Sequence, residues 1–175
     1  DHFTLLKAWR EFLNHYRGDG APRLLLVGDP RNTTRDLKVL AFDLNLSGSV
    51  IFTGFIEDVS SLIAECDFAV HSSYLEGCPN GILECMAMGK AVIATDISGA
   101  RQALGNRWSE FVFAPKDDHN ALASNLVHLI ENPGFSHEIG RHNRKRIEDF
   151  FSIERMGGTY AEFVKKCVTK GPVAQ

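Results

Sequence analysis

Two glutamates, Glu76 and Glu84, stand eight positions apart in the segment Glu76-Gly77-Cys78-Pro79-Asn80-Gly81-Ile82-Leu83-Glu84. A carboxylate can accept two hydrogen bonds at once, the geometry needed to hold the vicinal hydroxyls of a ribose. Between the two glutamates, Pro79 belongs at or before a helix start, with Asn80 or Gly81 as the expected N-cap. A helix beginning there presents free backbone N–H groups and a positive dipole end, a natural site for a phosphate. Glu84 in the first turn can then reach a ribose, and Glu76 on the loop can grip sugar hydroxyls beyond the phosphates. A structural reading stands beside this one: Glu84 as the N3 member of a capping box with Gly81 as N-cap, and Glu76 as a solvated loop residue. His71, at the start of the same loop, is either close to the ligand or a satisfied structural histidine.

A loop of this kind needs a scaffold, and the flanking sequence supplies its pattern. Short continuous apolar runs predict strands over 23–27, 50–52, 67–70, 91–95 and 110–113, with runs of the type that is covered on both faces. Between them, Leu5, Leu6, Trp9, Phe12, Leu13 and Tyr16 recur at helical spacing, as do Leu37, Leu40, Ala41 and Leu44. Leu122, Leu126, Leu129 and Ile130 follow an N-cap candidate at Asp117 or Asp118, with Pro133 expected to stop that helix. A last stripe, Ile153, Met156, Tyr160, Phe163, Val164 and Cys167, is interrupted by Gly157-Gly158, where a kink is expected. This alternation predicts an α/β fold: a doubly wound, mostly parallel sheet flanked by helices, Rossmann-like, a three-layer sandwich. Ligands of such sheets bind outside the carboxyl ends of the strands, which is where Glu76 falls.

Composition excludes several classes. With 175 residues, 44% hydrophobic and 23% charged, the chain has one domain's worth of sequence, assigned to residues 1–170 with 171–175 as a tail, and fraying is expected to begin at Lys170. A formal net charge of −3 argues against nucleic acid as a partner. The basic cluster Arg141, Arg144, Lys145 and Arg146 reads as a solvated helix face, with contact to an anionic lipid or a lipid-phosphate acceptor left open. Four cysteines, at 66, 78, 85 and 167, lack metal-ligand spacing, so neither a zinc site nor a disulfide scaffold is indicated, and a cytoplasmic setting follows. The longest apolar runs are too short to cross a bilayer. Neither G-x-x-x-x-G-K-[ST] nor G-x-G-x-x-G occurs.

The whole pattern resembles the carboxy-terminal, donor-binding domain of the group 1 retaining glycosyltransferases, which carry Glu, seven residues, then Glu. Leu24-Leu25-Leu26-Val27-Gly28-Asp29 is similar to the family's strand and Gly-Asp turn, and Val50 to Ile56 to its F-x-G segment. Glu65-Cys66-Asp67 resembles its A-D step into the next strand. Glu84 to Thr95, followed by Gly99, is similar to its E-A-M-A-x-G-x-P-V-V-A-T run.

The resemblance implies roles. Glu76 would contact the donor sugar as the catalytic residue, and Glu84 the ribose. Gly77 and the backbone N–H groups of Cys78, Asn80, Gly81 and Ile82 would hold sugar and phosphates. Ile56 would meet the base through its backbone, while Gly28 and Gly99 would let backbone pass close to the ligand. The donor would be a UDP-, GDP- or ADP-sugar, with no other cofactor and no metal. The acceptor, a glycan, a lipid-linked molecule or a small molecule, would be bound by an amino-terminal domain outside the chain. Pro79 departs from the family's frequent Phe-Gly and has no N–H to give. Asp1 to Leu6 resembles the segment just after the family's phosphate-binding Lys, so that Lys, its Arg partner and the first strand are expected outside the chain as well. The fragment is therefore expected to bind donor weakly and transfer little alone. With reduced thiols the full protein is expected in the cytoplasm, with peripheral contact at the membrane face left open. Three rivals stay open: a nucleotide-sugar epimerase of the same architecture, a silent nucleotide-sugar-binding module, and a doubly wound signalling domain.

Overall fold

The computed structural model describes residues 1–30 and 32–170. It opens with helix α1 (His2–His15), whose N-cap Asp1 accepts the Thr4 N–H. Strand β1 (Leu24–Val27), helix α2 (Thr34–Asp43), strand β2 (Val50–Gly54), helix α3 (Val59–Glu65) and strand β3 (Phe68–His71) follow. Next come α4 (Asn80–Ala87), β4 (Ala91–Thr95), α5 (Ser98–Leu104), α6 (Ser109–Val112) and β5 (Phe113–Ala114). Helices α7 (His119–Glu131), α8 (Pro133–Phe150) and α9 (Ile153–Lys170) complete the described chain.

Every strand pair is parallel. All five residues of β4 are buried, which requires cover on both faces. Helices α7 and α8 both touch β4, with α1 packed along α7 and α4 along α8. Layered α/β packing is therefore as expected. The sheet, however, is not one continuous ladder among the described residues: β1 pairs with β2, and β3, β4 and β5 form a second set in that order. Its core is made by Leu6 and Phe12 of α1, Ile82 and Met86 of α4, Ile93 of β4, Leu126 and Leu129 of α7, and Ile139 of α8, all nearly inaccessible. Each such side chain contributes roughly 1.5–3 kcal/mol of burial.

Two sequence expectations are corrected and a third, that α7 stops at Pro133, holds and is extended. Residues 110–112 are helical, not extended, and β5 holds only Phe113 and Ala114. The reason is that a short apolar run has no period of its own, and Phe111 is drawn into a stack on His128, with centroids 4.4 Å apart. Pro133 does more than stop α7. It occupies the first turn of α8, where its missing N–H is not needed and its fixed φ suits the helix. The helix start after Pro79 lies one residue earlier than expected: Pro79 itself is the N-cap and makes no side-chain cap bond.

Asp118, one of the two candidates, does cap α7 by accepting the Ala121 N–H at 2.9 Å. Helix α9 runs unbroken through Gly157-Gly158, with Ile153, Met156, Tyr160 and Phe163 exposed. Of the expected tail, Lys170 ends α9 and residues 171–175 lie outside the described residues. No helix among the described residues is long and apolar enough to cross a membrane.

Candidate functional site

The loop from Ser72 to Pro79 joins the carboxyl end of β3 to α4, and several ties give it one shape. Ser72 Oγ donates to the Asp1 carbonyl at 2.6 Å, and the Asp1 nitrogen donates back to the Ser72 carbonyl at 2.8 Å. The Ser73 N–H donates to Thr95 Oγ1, at the end of β4, at 3.0 Å. Tyr74 Oη donates to Asp117 Oδ1 at 2.5 Å. Beneath the loop lies Gly99, in the first turn of α5. A Cβ on Gly99 would collide with the Glu76 carbonyl oxygen and stand 3.0 Å from Gly77 O. What its missing side chain makes room for is thus the backbone of the Glu76-Gly77 loop.

Glu76 is partly buried and already held. Ser73 Oγ donates to its Oε1 at 3.2 Å, and His71 Nε2 lies 3.8 Å from the same oxygen. Burial holds the His71 imidazole below its usual pKa, the Glu76 carboxylate working against that shift and the Asp1 amino group with it. Nε2 is the one buried side-chain nitrogen or oxygen without a hydrogen-bond partner among the described residues. His71 thus brings one unpartnered ring nitrogen up against Glu76 on the candidate loop.

Helix α4 leaves its first donors free. The N–H groups of Ile82 and Leu83 both donate to the Pro79 carbonyl, at 3.0 and 3.2 Å. Those of Asn80 and Gly81 have no acceptor among the described residues and face the positive end of the helix. Of the backbone donors anticipated on this helix, Asn80 and Gly81 are available and Ile82 is engaged. The Ile82 side chain, 1% exposed, is core. Gly77 and Cys78, on the loop before it, are exposed.

Glu84 is the fifth residue of α4, not the third, so it belongs to no capping box with Gly81. Its carboxylate is exposed and has no hydrogen bond or ion pair among the described residues. Next to it, burial pushes the Cys85 thiol up to about 11, with the Glu84 charge adding to the effect.

Gly28 and Ile56 lie in the loops that follow the other strand pair. Gly28 has a φ of +137°, closed to most side chains, and donates its N–H to the Gly54 carbonyl at 3.0 Å. A Cβ there would meet nothing within 4 Å, so conformation rather than space selects glycine. This bond joins the loops after β1 and β2 and sets the path into Phe55 and Ile56. Sequence reasoning missed Ser73, Thr95 and Tyr74, whose partners become neighbours only through strand order.

The basic cluster is divided by the fold. Arg144 donates to the Ala87 carbonyl at the end of α4, and Arg146 to the Ala103 and Gln102 carbonyls of α5 at 2.7 and 2.9 Å. Both satisfy carbonyls that a helix end leaves open. Lys145 pairs with Asp149 at 3.2 Å, while Arg141 points to solvent.

The profile of the group 1 glycosyl transferases matches residues 2–132. The N,N'-diacetylbacillosaminyl-diphospho-undecaprenol alpha-1,3-N-acetylgalactosaminyltransferase of Campylobacter jejuni is 33% identical over 86 residues, 49% of this chain and 23% of that protein. The capsular polysaccharide biosynthesis glycosyltransferase CapM of Staphylococcus aureus is 28% identical over 150 residues, 82% of this chain and 39% of its own length. The structure of Anabaena HepE in complex with UDP and glucose superposes with a TM-score of 0.83 at 23% identity, over 95% of this chain and 45% of that one. The chain belongs to the group 1 glycosyltransferases. It spans less than half the length of each of these relatives.

Proposed function

We propose that this chain is the donor-binding domain of a configuration-retaining glycosyltransferase that moves a sugar from a nucleoside diphosphate to an acceptor hydroxyl. The observation that carries the proposal is the arrangement around the start of α4. The free Asn80 and Gly81 N–H groups lie between a held carboxylate, Glu76, and an unpaired one, Glu84. A diphosphate placed at the helix start meets the free N–H groups and the positive dipole end. Glu84 then accepts from the ribose hydroxyls and Glu76 from the sugar, while the backbone after Gly54 meets the base.

On this reading the domain accelerates transfer by holding the donor in one orientation and stabilising charge on the departing diphosphate. That phosphate helps take the acceptor's proton as the acceptor attacks from the same face, so no protein nucleophile and no metal ion is assigned a role. The acceptor site, and the cations that neutralise the diphosphate, belong to sequence outside these residues; the greater length of the relatives supports this. Four free thiols suit the reducing interior of a cell. The acceptor of the Campylobacter relative is, by its name, lipid-linked through a diphosphate. An acceptor of that kind would bring the whole protein to a membrane face. None of the three named relatives is called an epimerase, and no feature of the site favours that chemistry.

The test is a thermal-shift series with UDP-glucose, UDP-N-acetylglucosamine, GDP-mannose and ADP-glucose, each beside its free nucleoside diphosphate. A donor at about a hundred times its Kd adds about 2.7 kcal/mol by mass action, a rise of roughly 5–10 °C for a domain of this size. No shift with any of them overturns the proposal.

A further inference from the structure

We infer that His71 is a positioning residue for Glu76: its Nε2–H orients the Glu76 carboxylate so that one oxygen is committed to the protein and the other to the donor sugar. The inference deepens the donor reading of Glu76 and rests on it.

The geometry begins with an atom that has nowhere else to go. His71 Nε2 is buried and has no hydrogen-bond partner, and a buried polar atom without a partner is uncommon enough to need a reason. An atom closed to water is also closed to a ligand hydroxyl, so its partner must come from the protein. The acceptor facing it is Glu76 Oε1 at 3.8 Å, beyond hydrogen-bond length but within one small rotation of it. Ser73 Oγ already donates to that oxygen at 3.2 Å. Closing the His71 gap gives Oε1 two donors and fixes the plane of the carboxylate, leaving Oε2 as the acceptor for the ligand.

His71 can move little, because it ends β3 in register with Ala94 of the fully buried β4. The Glu76 backbone packs closely over Gly99, where a Cβ would have no room. The adjustment therefore falls to the Glu76 side chain, which a bound sugar would draw into place. Charged or titratable groups facing the ring are Glu76 from the loop, and His2 and the Asp1 amino group from the start of α1. The neutral ring must carry its proton on Nε2 to donate.

Calorimetry on the 175-residue chain tests this, with UDP and UDP-glucose as the probe pair (or whichever pair shifts the midpoint most). The readout is the ratio of the Kd of the sugar conjugate to that of the free diphosphate. His71→Leu keeps bulk without a donor, and it should raise the ratio about tenfold with the free diphosphate unaffected. His71→Gln places an amide nitrogen where Nε2 lies and should stay within about twofold of the unaltered chain. His71→Asn places its amide nitrogen where Nδ1 lies and should behave like leucine; this comparison holds even where the leucine variant does not fold. An unchanged ratio in the asparagine variant, or equal losses in asparagine and glutamine variants, overturns the inference and leaves the donor reading standing. Failure of the unaltered chain to bind any of the pairs overturns both.

Discussion

The backbone of Glu76 lies directly over the Cα of Gly99, so closely that a methyl group on Gly99 cannot be placed without moving the Glu76 carbonyl. Here backbone meets backbone, and neither side has a flexible end that can yield. Gly99→Ala should therefore displace the loop although alanine is the better helix former. Affinity for the nucleotide sugar should fall at least about tenfold, close to 1.4 kcal/mol, in calorimetry on a folded variant. Unaltered affinity would show that the loop does not need this support.

The two glutamates should separate by ligand. Glu84→Gln should weaken a nucleoside diphosphate and its sugar conjugate alike, because the ribose is common to both. Glu76→Gln should weaken the sugar conjugate alone. Each loses a charge-assisted hydrogen bond of about 1.5–3 kcal/mol, or roughly ten- to a hundredfold. In the longer protein, Glu76→Ala should abolish transfer. Equal losses for both ligands from both variants would contradict the placement of sugar and ribose.

Cysteine reactivity gives an independent view of the loop. Cys78 is exposed between Gly77 and Pro79, whereas burial raises the Cys85 thiol to about 11 and keeps it protonated at neutral pH. Alkylation at pH 7.5 should therefore label Cys78 and the exposed Cys167 and spare Cys85. A bound nucleotide sugar should protect Cys78 and leave Cys167 as reactive as before. Peptide mass mapping reads all of these thiols together, and labelling of Cys78 that ignores the donor would place the ligand elsewhere.

Stability should fall on mild acidification. Burial holds the imidazoles of His71, His2 and His142 below their usual pKa, and for His142 the neighbouring Arg107 and Arg146 add to it. An unfolded chain takes up protons at these residues near pH 6.5, but the folded chain resists them. Their contribution is thus complete above about pH 6.5 and is lost as pH falls through the lower folded values. Melting midpoints should be level between pH 8 and 7 and decline toward pH 5.5, more gently in His71→Gln. A midpoint that rises on acidification would reverse the sign of the argument.

The residues that name the family could be read in sequence because they are local. Glu76, Pro79 and Glu84 sit on one loop and one helix turn, and the strand and helix patterns around them need only near-neighbour spacing. The same locality explains the parallel layered fold, since continuous apolar strands alternating with amphipathic helices have few other ways to bury themselves. Where the pattern was short, it failed: residues 110–112 carry no period long enough to distinguish a strand from a helical turn, and packing of Phe111 on His128 decided it.

Tertiary structure alone decided what holds the site. Gly99 meets Glu76, Ser73 meets Thr95, Arg144 and Arg146 meet the ends of α4 and α5, and Tyr74 meets Asp117. These partners are as much as 57 positions apart in the chain, and no spacing rule connects them. By itself the sequence determined the loop and helix turn to which the nucleotide sugar is assigned in the proposal, and the edge of the sheet on which they stand. Only the folded chain decided that Glu76 has donors beside it while Glu84 has none, because a carboxylate's surroundings depend on groups that strand order and helix packing bring to it.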